Sequence, residues 1–465
     1  MRASAGFKSR SGSADSSWTT RTPAAVRKLL LLAYFFPPIG GAGAQRNTKL
    51  ARYLPEFDWE LSVVTGPGLP EYHWTPIDNT LLEEIPADVR VCRVPGPEPA
   101  FSRGWRDRAE RWLVVESPWQ RWWDEHAVST ALEVGHDVDL VYASLAPYNT
   151  AEAAVAIANA LGKPLVVDLE DPWAFDEMTI YPSALHRRLD LHRMRKTLAS
   201  ADGVVMNTPE AASRVLRRFS TLEEAFVTAI PNGYDAADFS GPPPDADGKV
   251  RIVHAGSLHT DFAFRHKRLR PLRAVLQGAA SGVDPLTRSH VFLLEAIRQL
   301  LREQPEISER VELHLVGTLT DEDREVVGDA HFVVEHGFVN HRETIDLIRS
   351  ATLLFLPMHD LAEGRRVAIV PCKTYEYLAS GRPILAAVPD GDARDLLAEA
   401  GNACLTRPSD VAGMKQAIED ALSRAELGLE AAPPRKAVLD RLDRRRLTAD
   451  LVAFLDRVIA TRRAR

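Results

Sequence analysis

Cysteine and long hydrophobic runs are scarce in this sequence. Its 465 residues include three cysteines, Cys92, Cys372 and Cys404, whose spacing fits neither a disulfide framework nor a zinc site. The apolar run at residues 29–36 is much shorter than the about 20 residues that a membrane-spanning helix needs. We therefore expect a cytoplasmic protein in which such runs form buried strands.

An excess of positive charge is also absent. The net charge is −7, so the chain as a whole does not attract anionic lipid or nucleic acid, and no nucleic-acid partner is expected. Hydrophobic residues make up 45% and charged residues 26%, as in soluble globular proteins. A single core stops growing at about 250–300 residues, so this length predicts two domains.

The sequence does contain a repeated alternation of short β-rich runs and longer helical patterns, which is typical of parallel sheets covered by helices. The predicted fold class is α/β, with two Rossmann-like doubly wound domains that face a central cleft. The predicted strands are residues 29–35, 60–65, 89–94, 140–144, 164–168, 203–207 and 225–230 in the first half, and 250–255, 311–316, 331–335, 352–356 and 383–388 in the second.

Changes in composition divide the chain into segments. Residues 1–26 are rich in Ser, Thr, Arg and Ala and are expected to form a disordered leader. The other predicted segments are an N-terminal domain at 27–230, a linker at 231–249, a C-terminal domain at 250–432 and a helical segment at 433–465. Apolar residues recur at helical spacing in the last segment, which favours a helix packed across the domains over a solvated one.

The first glycine-rich turn is a candidate binding site, because ligands of doubly wound sheets lie beyond the carboxyl ends of strands. Gly40, Gly41 and Gly43 follow the first predicted strand and lead into a helix. Their backbone amides and the helix N-terminus suit a phosphate group. The spacing differs from the G-x-G-x-x-G dinucleotide fingerprint, and a purely structural turn is the alternative.

Acidic residues crowd the end of another strand, in the segment DLEDPWAF at 168–175. Carboxylates this close repel one another unless a cation, an arginine or a hydroxyl-rich ligand binds them. Asp171 is therefore a candidate for contact with a ligand in the cleft. The alternative is that Asp171 caps a helix beginning at Pro172.

The segment CKTYEYLASGRPILA predicts a short helix at 372–380, stopped by Gly381, before a buried strand. Lys373 and Glu376 lie three residues apart and share one side of this helix. One interpretation is an exposed ion pair, which would stabilise the helix by only about 0.3 kcal/mol. In the other, the lysine binds a phosphate and the glutamate accepts hydrogen bonds from a sugar diol.

The segment PCKTYEYLASGRPILA resembles the donor site of family 4 glycosyltransferases, which are retaining enzymes of the two-domain GT-B fold. From about residue 27 to 421, further segments resemble that family in its own order: AYFFPPIGGAGAQR, DLEDPWAF, IPNGYDAADF, HAGSL, LHLVG and HGFVNHRETIDLIRSATLLFLP. The resemblance implies transfer of a sugar from a nucleotide-diphosphate donor, a UDP- or GDP-sugar, to an acceptor hydroxyl with retention. It also implies a role in glycan or glycoconjugate biosynthesis, in an enzyme that requires no cofactor.

The resemblance also implies roles for single residues. Glu376 would hold the ribose hydroxyls. Asp171, in the N-terminal domain, is our own candidate for the residue that orients the acceptor. No metal is expected, because the sequence has no D-x-D triplet at the end of a predicted strand other than residues 390–392. That triplet does follow a predicted strand, so a metal-dependent enzyme is the alternative. The rest of the donor site would be Gly40, Gly41 and Gly43 against the diphosphate, Gly256 and Ser257 in the matching loop of the second domain, and Gly337, Phe338 and Val339 against the nucleobase.

Two features depart from the family pattern. Ala368 stands where the family often has a second glutamate that contacts the transferred sugar. An insert at 260–289 separates HAGSL from the next predicted helix at 290–302, and its basic residues compete for the role of diphosphate ligand. Among them we favour Arg288, which directly precedes that helix.

Two stretches are candidates for contact with an acceptor or with the inner face of a membrane. The basic run at 264–273 suits an anionic acceptor or lipid head group, and a solvated loop is the alternative. The stretch at 105–127 contains five tryptophans interleaved with arginines, which suits a lipid interface or an acceptor groove. The alternative there is a helix packed on the first domain.

Two other functions are open. A nucleotide-sugar 2-epimerase has the same architecture but needs carboxylates and histidines grouped around the sugar carbon, whereas His254, His314 and His341 lie on different predicted elements. A non-catalytic nucleotide-sugar-binding protein is favoured by Ala368. The first rival predicts product without any acceptor, and the second predicts donor binding with neither transfer nor hydrolysis.

Overall fold

The computed structural model describes residues 26–68, 76–99, 112, 116–241, 248–276 and 282–464. The predicted leader, apart from Val26, lies outside these described residues. None of the helices within the described ranges is long and apolar enough to cross a membrane.

The first sheet consists of seven parallel strands. They are β1 (Arg27–Leu32), β2 (Trp59–Thr65), β3 (Arg90–Arg93), β4 (Leu140–Ser144), β5 (Leu165–Leu169), β6 (Gly203–Met206) and β7 (Val227–Ala229), in the spatial order β3-β2-β1-β4-β5-β6-β7. A parallel sheet covered on both faces buries nearly every strand residue, so its strands are continuous apolar runs. In β1 the four leucines from Leu29 to Leu32 are at most 1% exposed.

The second sheet has six parallel strands, and a separate antiparallel pair lies beside it. The strands are β8 (Val250–Ala255), β9 (Val283–Asp284), β10 (Val311–Val316), β11 (Val333–Gly337), β12 (Leu353–Pro357), β13 (Asp360–Leu361), β14 (Ile384–Ala387) and β15 (Ala403–Thr406). The sheet order is β11-β10-β8-β12-β14-β15, and β9 pairs with β13. The predicted α/β class with two doubly wound sheets is confirmed.

Helices cover both sheets. In the described part of the chain they are α1 (Ala42–Tyr53), α2 (Pro118–Val134), α3 (Thr150–Leu161), α4 (Ala184–Ser200), α5 (Pro209–Arg218), α6 (Thr260–Leu276), α7 (Val291–Glu303), α8 (Asp321–Val327), α9 (His341–Ser350), α10 (Lys373–Ala379), α11 (Asp392–Ala400), α12 (Val411–Glu426), α13 (Lys436–Leu442) and α14 (Arg444–Ala464). The helix predicted at 372–380 is α10, and the helix predicted at 290–302 is α7.

The strand order of each sheet reverses at one point. The reversal lies between β1 and β4 in the first sheet and between β8 and β12 in the second. Crevices beyond the carboxyl ends of strands at such points bind ligands in doubly wound folds. The loops after β1, β4, β8 and β12 lie at these points, and the loops after β5 and β11 lie at the same carboxyl edges of the sheets. These loops are the places to look for functional side chains.

The two C-terminal helices join the halves of the molecule. Helix α13 buries Val438 and Leu442 in the core of the second half, whereas α14 packs Leu451 and Phe454 into the core beneath the first sheet. A Cβ on Gly203 of β6 would lie only 3.0 Å from the Phe454 ring, so this close packing requires glycine. The predicted crossing between domains is present, and the solvated alternative is wrong.

The basic run at 264–273 lies within α6, and the loop interpretation of it is wrong. Arg265, Lys267 and Arg268 are exposed on this helix. Arg, Lys, Leu and Ala are strong helix formers, and their succession from residue 263 outweighs the charge pattern that suggested a loop. Exposure of these side chains agrees with a solvated surface.

The tryptophan-rich stretch is described at Trp112 and from residue 116 onward. Helix α2 begins after Ser117, whose side chain accepts a hydrogen bond from the Gln120 N–H at 3.1 Å. Trp119 and Trp123 are buried, and both rings pack edge-to-face on Tyr34. For this part the packed-helix alternative is correct, and the remainder of 105–127 lies outside the described residues.

Candidate functional site

The glycine turn after β1 has strict backbone requirements. Gly40 donates its N–H to the carbonyl of Pro76 at 2.9 Å, and a Cβ on Gly40 would lie 3.0 Å from that oxygen. Gly41 has a φ of 90° directly before α1. Both positions therefore need glycine for structural reasons. This backbone requirement does not occupy the N-terminus of α1, which can still bind an anion.

Two of the acids at the carboxyl end of β5 are bound within the protein. Asp168 accepts hydrogen bonds from Arg46 Nε at 2.6 Å and from Tyr142 Oη at 2.5 Å. Glu170 accepts one from Ser144 Oγ at 2.7 Å. Burial raises the pKa of Glu170 to about 8, so this carboxyl carries a proton at neutral pH.

Asp171 is the acid that has no partner. It is exposed, and its side chain makes no hydrogen bond or ion pair in the described part of the chain. Although this side chain reaches solvent, the protein on the surrounding sides reduces its hydration and, with the charge of Asp176, raises the pKa of Asp171 to about 6, while Arg288 of the second half lowers it. Pro172 precedes a 3₁₀-helix at Trp173–Phe175 without any side-chain cap, so the cap interpretation of Asp171 is wrong.

Lys373 begins α10 and lies against the loop after β8. Its ammonium is 3.3 Å from His254 Nε2 and 3.0 Å from the place that a Cβ on Gly256 would occupy. The missing side chain of Gly256 therefore makes room for the lysine. Burial and the nearby charge of Arg288 lower the pKa of Lys373 to about 7, against the attraction of Glu376.

Arg288 supplies a second cation at this point. It follows the 3₁₀-helix Pro285–Thr287, and its guanidinium makes no hydrogen bond within the described residues. Burial lowers the pKa of Arg288, although the charges of Asp171 and Asp176 act in the opposite direction. Two dehydrated cations that disfavour each other's protonation form a site that a bound anion would stabilise.

Glu376 lies one turn after Lys373 and binds a histidine. His341 Nε2 and Glu376 Oε1 are 3.0 Å apart, and the two side chains are 14% and 16% exposed. Burial opposes both charges, yet the contact lowers the pKa of Glu376 and raises the pKa of His341. The pair that forms is thus with His341, and the exposed Lys373–Glu376 ion pair is wrong. Glu376 Oε2 makes no hydrogen bond among the described residues, so it is free to accept one from a ligand.

His341 also connects the two halves. Its backbone N–H donates to Asp78 Oδ2 at 2.9 Å, and the Asp78 N–H donates to the carbonyl of Pro38 at 2.7 Å. A continuous series of contacts therefore runs from the glycine turn of the first half to Glu376 of the second. The sequence analysis treated His341 as isolated. Its place in the first turn of a helix after a strand was the signal that it lies at the cleft.

One group of potential metal ligands occurs among the described residues, namely Glu84, Asp238 and His341. The buried ammonium of Lys49 contacts Glu84 and lies 3.4 Å from Asp238, so a protein cation already balances this negative charge. Both aspartates of the 390–392 triplet lie 3.5 Å from arginines. Neither group therefore offers a set of uncommitted ligands.

The loops after β8, β10 and β11 lie side by side. The Gly317 N–H donates to the carbonyl of Gly337 at 2.8 Å, and a Cβ on Gly317 would lie 3.2 Å from the carbonyl oxygen of Gly256. Phe338 is 45% exposed at this edge. The structure thus brings together the residues that the resemblance assigned to the loop and the base: Gly256, Ser257, Gly337, Phe338 and Val339.

Three histidines surround the two cations. Burial lowers the pKa of His254, His259 and His359, and the charges of Lys373 and Arg288 lower it further, to about 3 for His259 and His359. All three imidazoles are therefore neutral at pH 7. Both ring nitrogens of His359 are buried and have no hydrogen-bond partner among the residues that the structure describes. Sequence reasoning missed this cluster, because His254 and His259 lie in β8 and the loop after it, whereas His359 is about 100 residues away in the loop after β12.

Ala368 lies in a contact between the two halves. It is fully buried within the core of the first half, and its carbonyl accepts a hydrogen bond from Thr208 Oγ1 at 2.7 Å. The neighbouring Val367 is equally confined, since a Cβ on Gly391 would lie 2.5 Å from its carbonyl oxygen. At the position of the family's second glutamate, this chain therefore has a packing residue and not a side chain that could bind a sugar.

An Ala368→Glu variant is expected to lose stability without gaining a sugar ligand. Burying a carboxylate with no partner costs several kcal/mol, so we expect a loss of about 3 kcal/mol and a lower Tm. Thermal unfolding measures the change, with Ala362→Glu as the control because Ala362 is exposed in the same loop. An unchanged Tm for Ala368→Glu would contradict the packed contact.

Comparison with known proteins agrees with this architecture. A family model described as "Glycosyl transferase 4-like domain" matches residues 40–233, and one described as "Glycosyl transferases group 1" matches residues 280–424. No curated protein sequence matches the chain.

Solved structures resemble the chain over nearly its whole length. HepE of Anabaena in complex with UDP and glucose has a TM-score of 0.52 at 16% identity, over 93% of this chain and 99% of that one. The α,α-trehalose 6-phosphate synthase of Burkholderia multivorans has a TM-score of 0.57 at 16% identity, over 94% and 99%. A putative UDP-N-acetylglucosamine 2-epimerase of Listeria monocytogenes has a TM-score of 0.52 at 14% identity, over 93% and 96%. At these identities the likeness shows the fold.

The two family models follow one another along most of the chain, in the order of its two sheets. The chain therefore belongs to the glycosyltransferases of the GT-B fold.

Proposed function

We propose that this protein transfers a sugar from a nucleotide-diphosphate donor to an acceptor hydroxyl with retention of anomeric configuration. The observation that carries the proposal is the pair Lys373 and Arg288, two dehydrated cations at the carboxyl edge of the second sheet. A diphosphate is the anion that two adjacent cations and a glycine turn would suit. UDP-sugars are the first donors to test, because the similar HepE structure holds UDP and glucose.

The donor would span the carboxyl edge of the second sheet. Its diphosphate would lie between the glycine turn after β1 and the two cations, and its base would lie along Phe338. Oε2 of Glu376 would accept a hydrogen bond from a ribose hydroxyl, because Oε1 is already bound to His341. The first half would bind the acceptor, with Asp171 as the group that orients the acceptor hydroxyl.

The chemical step would break the bond between the sugar's anomeric carbon and the diphosphate oxygen. Negative charge then develops on the leaving phosphate, and preorganised cations stabilise it in a site from which water is excluded. The acceptor oxygen forms the new bond on the same face, and its proton passes to a leaving phosphate oxygen. With its pKa of about 6, Asp171 is ionised at neutral pH and can accept a hydrogen bond from the acceptor.

Product stereochemistry tests this proposal. The purified protein is incubated with UDP- and GDP-sugars and a panel of acceptors, and proton NMR reads the anomeric coupling of the product before it equilibrates. Retention supports the proposed step, and inversion would refute it. Donor binding with neither transfer nor hydrolysis would favour the non-catalytic alternative.

Donor affinity is expected to fall as the pH rises above 7. Lys373 has a pKa of about 7 in the free protein, and a bound diphosphate favours its charged form, so binding takes up a proton. Affinity should decrease by up to about tenfold per pH unit in this range. Calorimetry with an intact nucleotide sugar measures the effect, since its phosphates do not titrate near pH 7.

The control for this pH dependence is Lys373→Arg, which keeps its charge throughout the range. Loss of the proton from Glu170, with its pKa of about 8, would weaken binding in both proteins. The difference between the two slopes therefore isolates Lys373. Equal slopes for the wild type and Lys373→Arg would show that the lysine does not meet the diphosphate.

A nucleotide-sugar 2-epimerase is a second candidate, and the histidine cluster favours it. His254, His259 and His359 are grouped around Arg288 and Lys373. Of the histidines considered in the sequence analysis, only His254 belongs to this group, because His314 contacts His336 and His341 contacts Glu376. The likeness to a putative 2-epimerase points the same way. Incubation of donor alone in D₂O separates the two functions, because deuterium at sugar carbon 2 requires epimerase chemistry.

A further inference from the structure

Helix α4 carries an outer face of unusual composition. Residues 185, 188, 189, 192, 195 and 196 recur at intervals of three or four and therefore share one side of the helix. All six are exposed, and the two leucines among them, Leu185 and Leu189, are 60% and 41% exposed. The members of this outer face are Leu185, Arg188, Leu189, His192, Arg195 and Lys196.

The cations of the outer face have no counter-charge. Arg188, Arg195 and Lys196 make no ion pair with any residue in the described part of the chain. The one acid of the helix, Asp190, points inward, where its carboxylate accepts hydrogen bonds from Trp173 Nε1 at 3.1 Å and Tyr181 Oη at 2.6 Å. In a protein of net charge −7, this helix therefore presents an uncompensated positive surface.

Trp112 extends this surface at its N-terminal end. The indole is 52% exposed and packs edge-to-face on the His186 ring at a centroid distance of 5.3 Å. Exposed leucines and an exposed tryptophan beside unpaired cations match a lipid interface, where apolar groups enter the acyl boundary and cations meet head groups. A nucleic acid or an acidic peptide would account for the cations but would leave two leucines in water.

We infer that the outer face of α4 binds the surface of an anionic lipid bilayer. The helix lies beside the cleft, because Asp190 holds Trp173 and Trp173 follows Asp171 by two residues. Docking through α4 holds the Asp171 edge of the cleft beside the bilayer. The inferred membrane contact is therefore on α4, and not on the basic run of α6 or at the buried tryptophans of α2.

Vesicle sedimentation of the full-length protein tests the inference without any substrate, so its outcome is independent of the proposed transfer reaction. The wild type should sediment with vesicles of phosphatidylcholine mixed with phosphatidylglycerol and not with phosphatidylcholine alone. Each cation near an anionic surface contributes about fivefold, so Arg188→Glu with Arg195→Glu should weaken binding by at least about 25-fold. Salt at about 1 M should also release the protein.

Matched variants define the surface. Leu185→Ser with Leu189→Ser should weaken binding roughly tenfold or more, because apolar burial is lost. Leu427→Ser with Leu429→Ser is the apolar control, because these leucines lie outside α4 and are 70% and 58% exposed. Lys267→Glu with Arg268→Glu on α6 is the charge control. Equal binding to neutral vesicles, wild-type binding by the α4 variants, or loss of binding in either control would overturn the inference. All eight substituted residues are exposed, so the variants should keep the wild-type Tm.

Discussion

A Glu376→Ala variant is expected to lose most of the rise in Tm that a nucleoside diphosphate gives the wild-type protein. A hydrogen bond to a charged group contributes about 1.5–3 kcal/mol, so losing the ribose contact should weaken binding roughly 10- to 150-fold. Ligand stabilisation follows RT ln(1 + [L]/Kd). A nucleotide at about 100 times the wild-type Kd therefore stabilises the variant only slightly.

Thermal unfolding with UDP, GDP, dTDP and ADP measures this effect and identifies the base at the same time. Glu325→Ala is the control, because Glu325 is exposed on α8 and makes no ion pair with described residues. His341→Ala should cause a smaller loss than Glu376→Ala, since it removes the group that orients Oε1 but leaves the carboxylate. If a nucleotide stabilises Glu376→Ala as much as the wild type, α10 is not the ribose site.

Comparison of UDP with 2′-deoxy-UDP separates a ribose contact from a general loss of stability. The wild type should prefer UDP, because a 2′-hydroxyl can donate to Oε2 of Glu376. The preference should disappear in Glu376→Ala and shrink in His341→Ala. A variant that is merely less stable would bind both nucleotides more weakly and keep their ratio.

The main strands could be predicted because each is a continuous apolar run. The observed bounds of β8 and β10 agree with the predicted ones to the residue. Strand β15 has the sequence ACLT, and only its last residue is buried, so it has no such run. The paired strands β9 and β13 are two residues long and depend on their contact with each other.

The site could be predicted where local backbone position decides the role of a residue. Gly41, Lys373 and Glu376 follow strands or begin helices, and the structure places them at the carboxyl edges of the two sheets. The partners of these residues could not be predicted, because Glu376 contacts His341 across 35 residues and His341 contacts Asp78 across 263. Such pairs depend on how the two halves pack.

The structural role of Ala368 could not be predicted from the sequence either. Its sequence position marks a departure from the family pattern, but the reason lies in Thr208, which is 160 residues away. The contact between the halves uses this alanine as a packing residue. In the proposed reaction, recognition of the transferred sugar would then rest on other groups. The neutral imidazole of His359, whose ring nitrogens have no hydrogen-bond partner among the described residues, is one candidate on this half.

Replacing Arg288 should affect catalysis far more than folding. In the proposed reaction Arg288 stabilises charge on the leaving diphosphate, and removing one such donor typically costs 10²–10³ in kcat, or about 2.7–4 kcal/mol. We therefore expect Arg288→Gln to lose roughly that factor in transfer rate. Steady-state kinetics at saturating donor measures it, with Arg268→Gln on α6 as the control for the other basic residues of the insert.

The same substitution should leave the Tm unchanged or raise it. Burial lowers the pKa of Arg288, and its guanidinium makes no hydrogen bond with described residues, so the folded protein holds this charge at a cost. A bound ligand whose negative charge compensates the Arg288 guanidinium would explain why the protein keeps this cation there. If Arg288→Gln instead lowers the Tm and transfer together, while the remaining folded protein turns over normally, Arg288 is a structural residue and another cation binds the diphosphate.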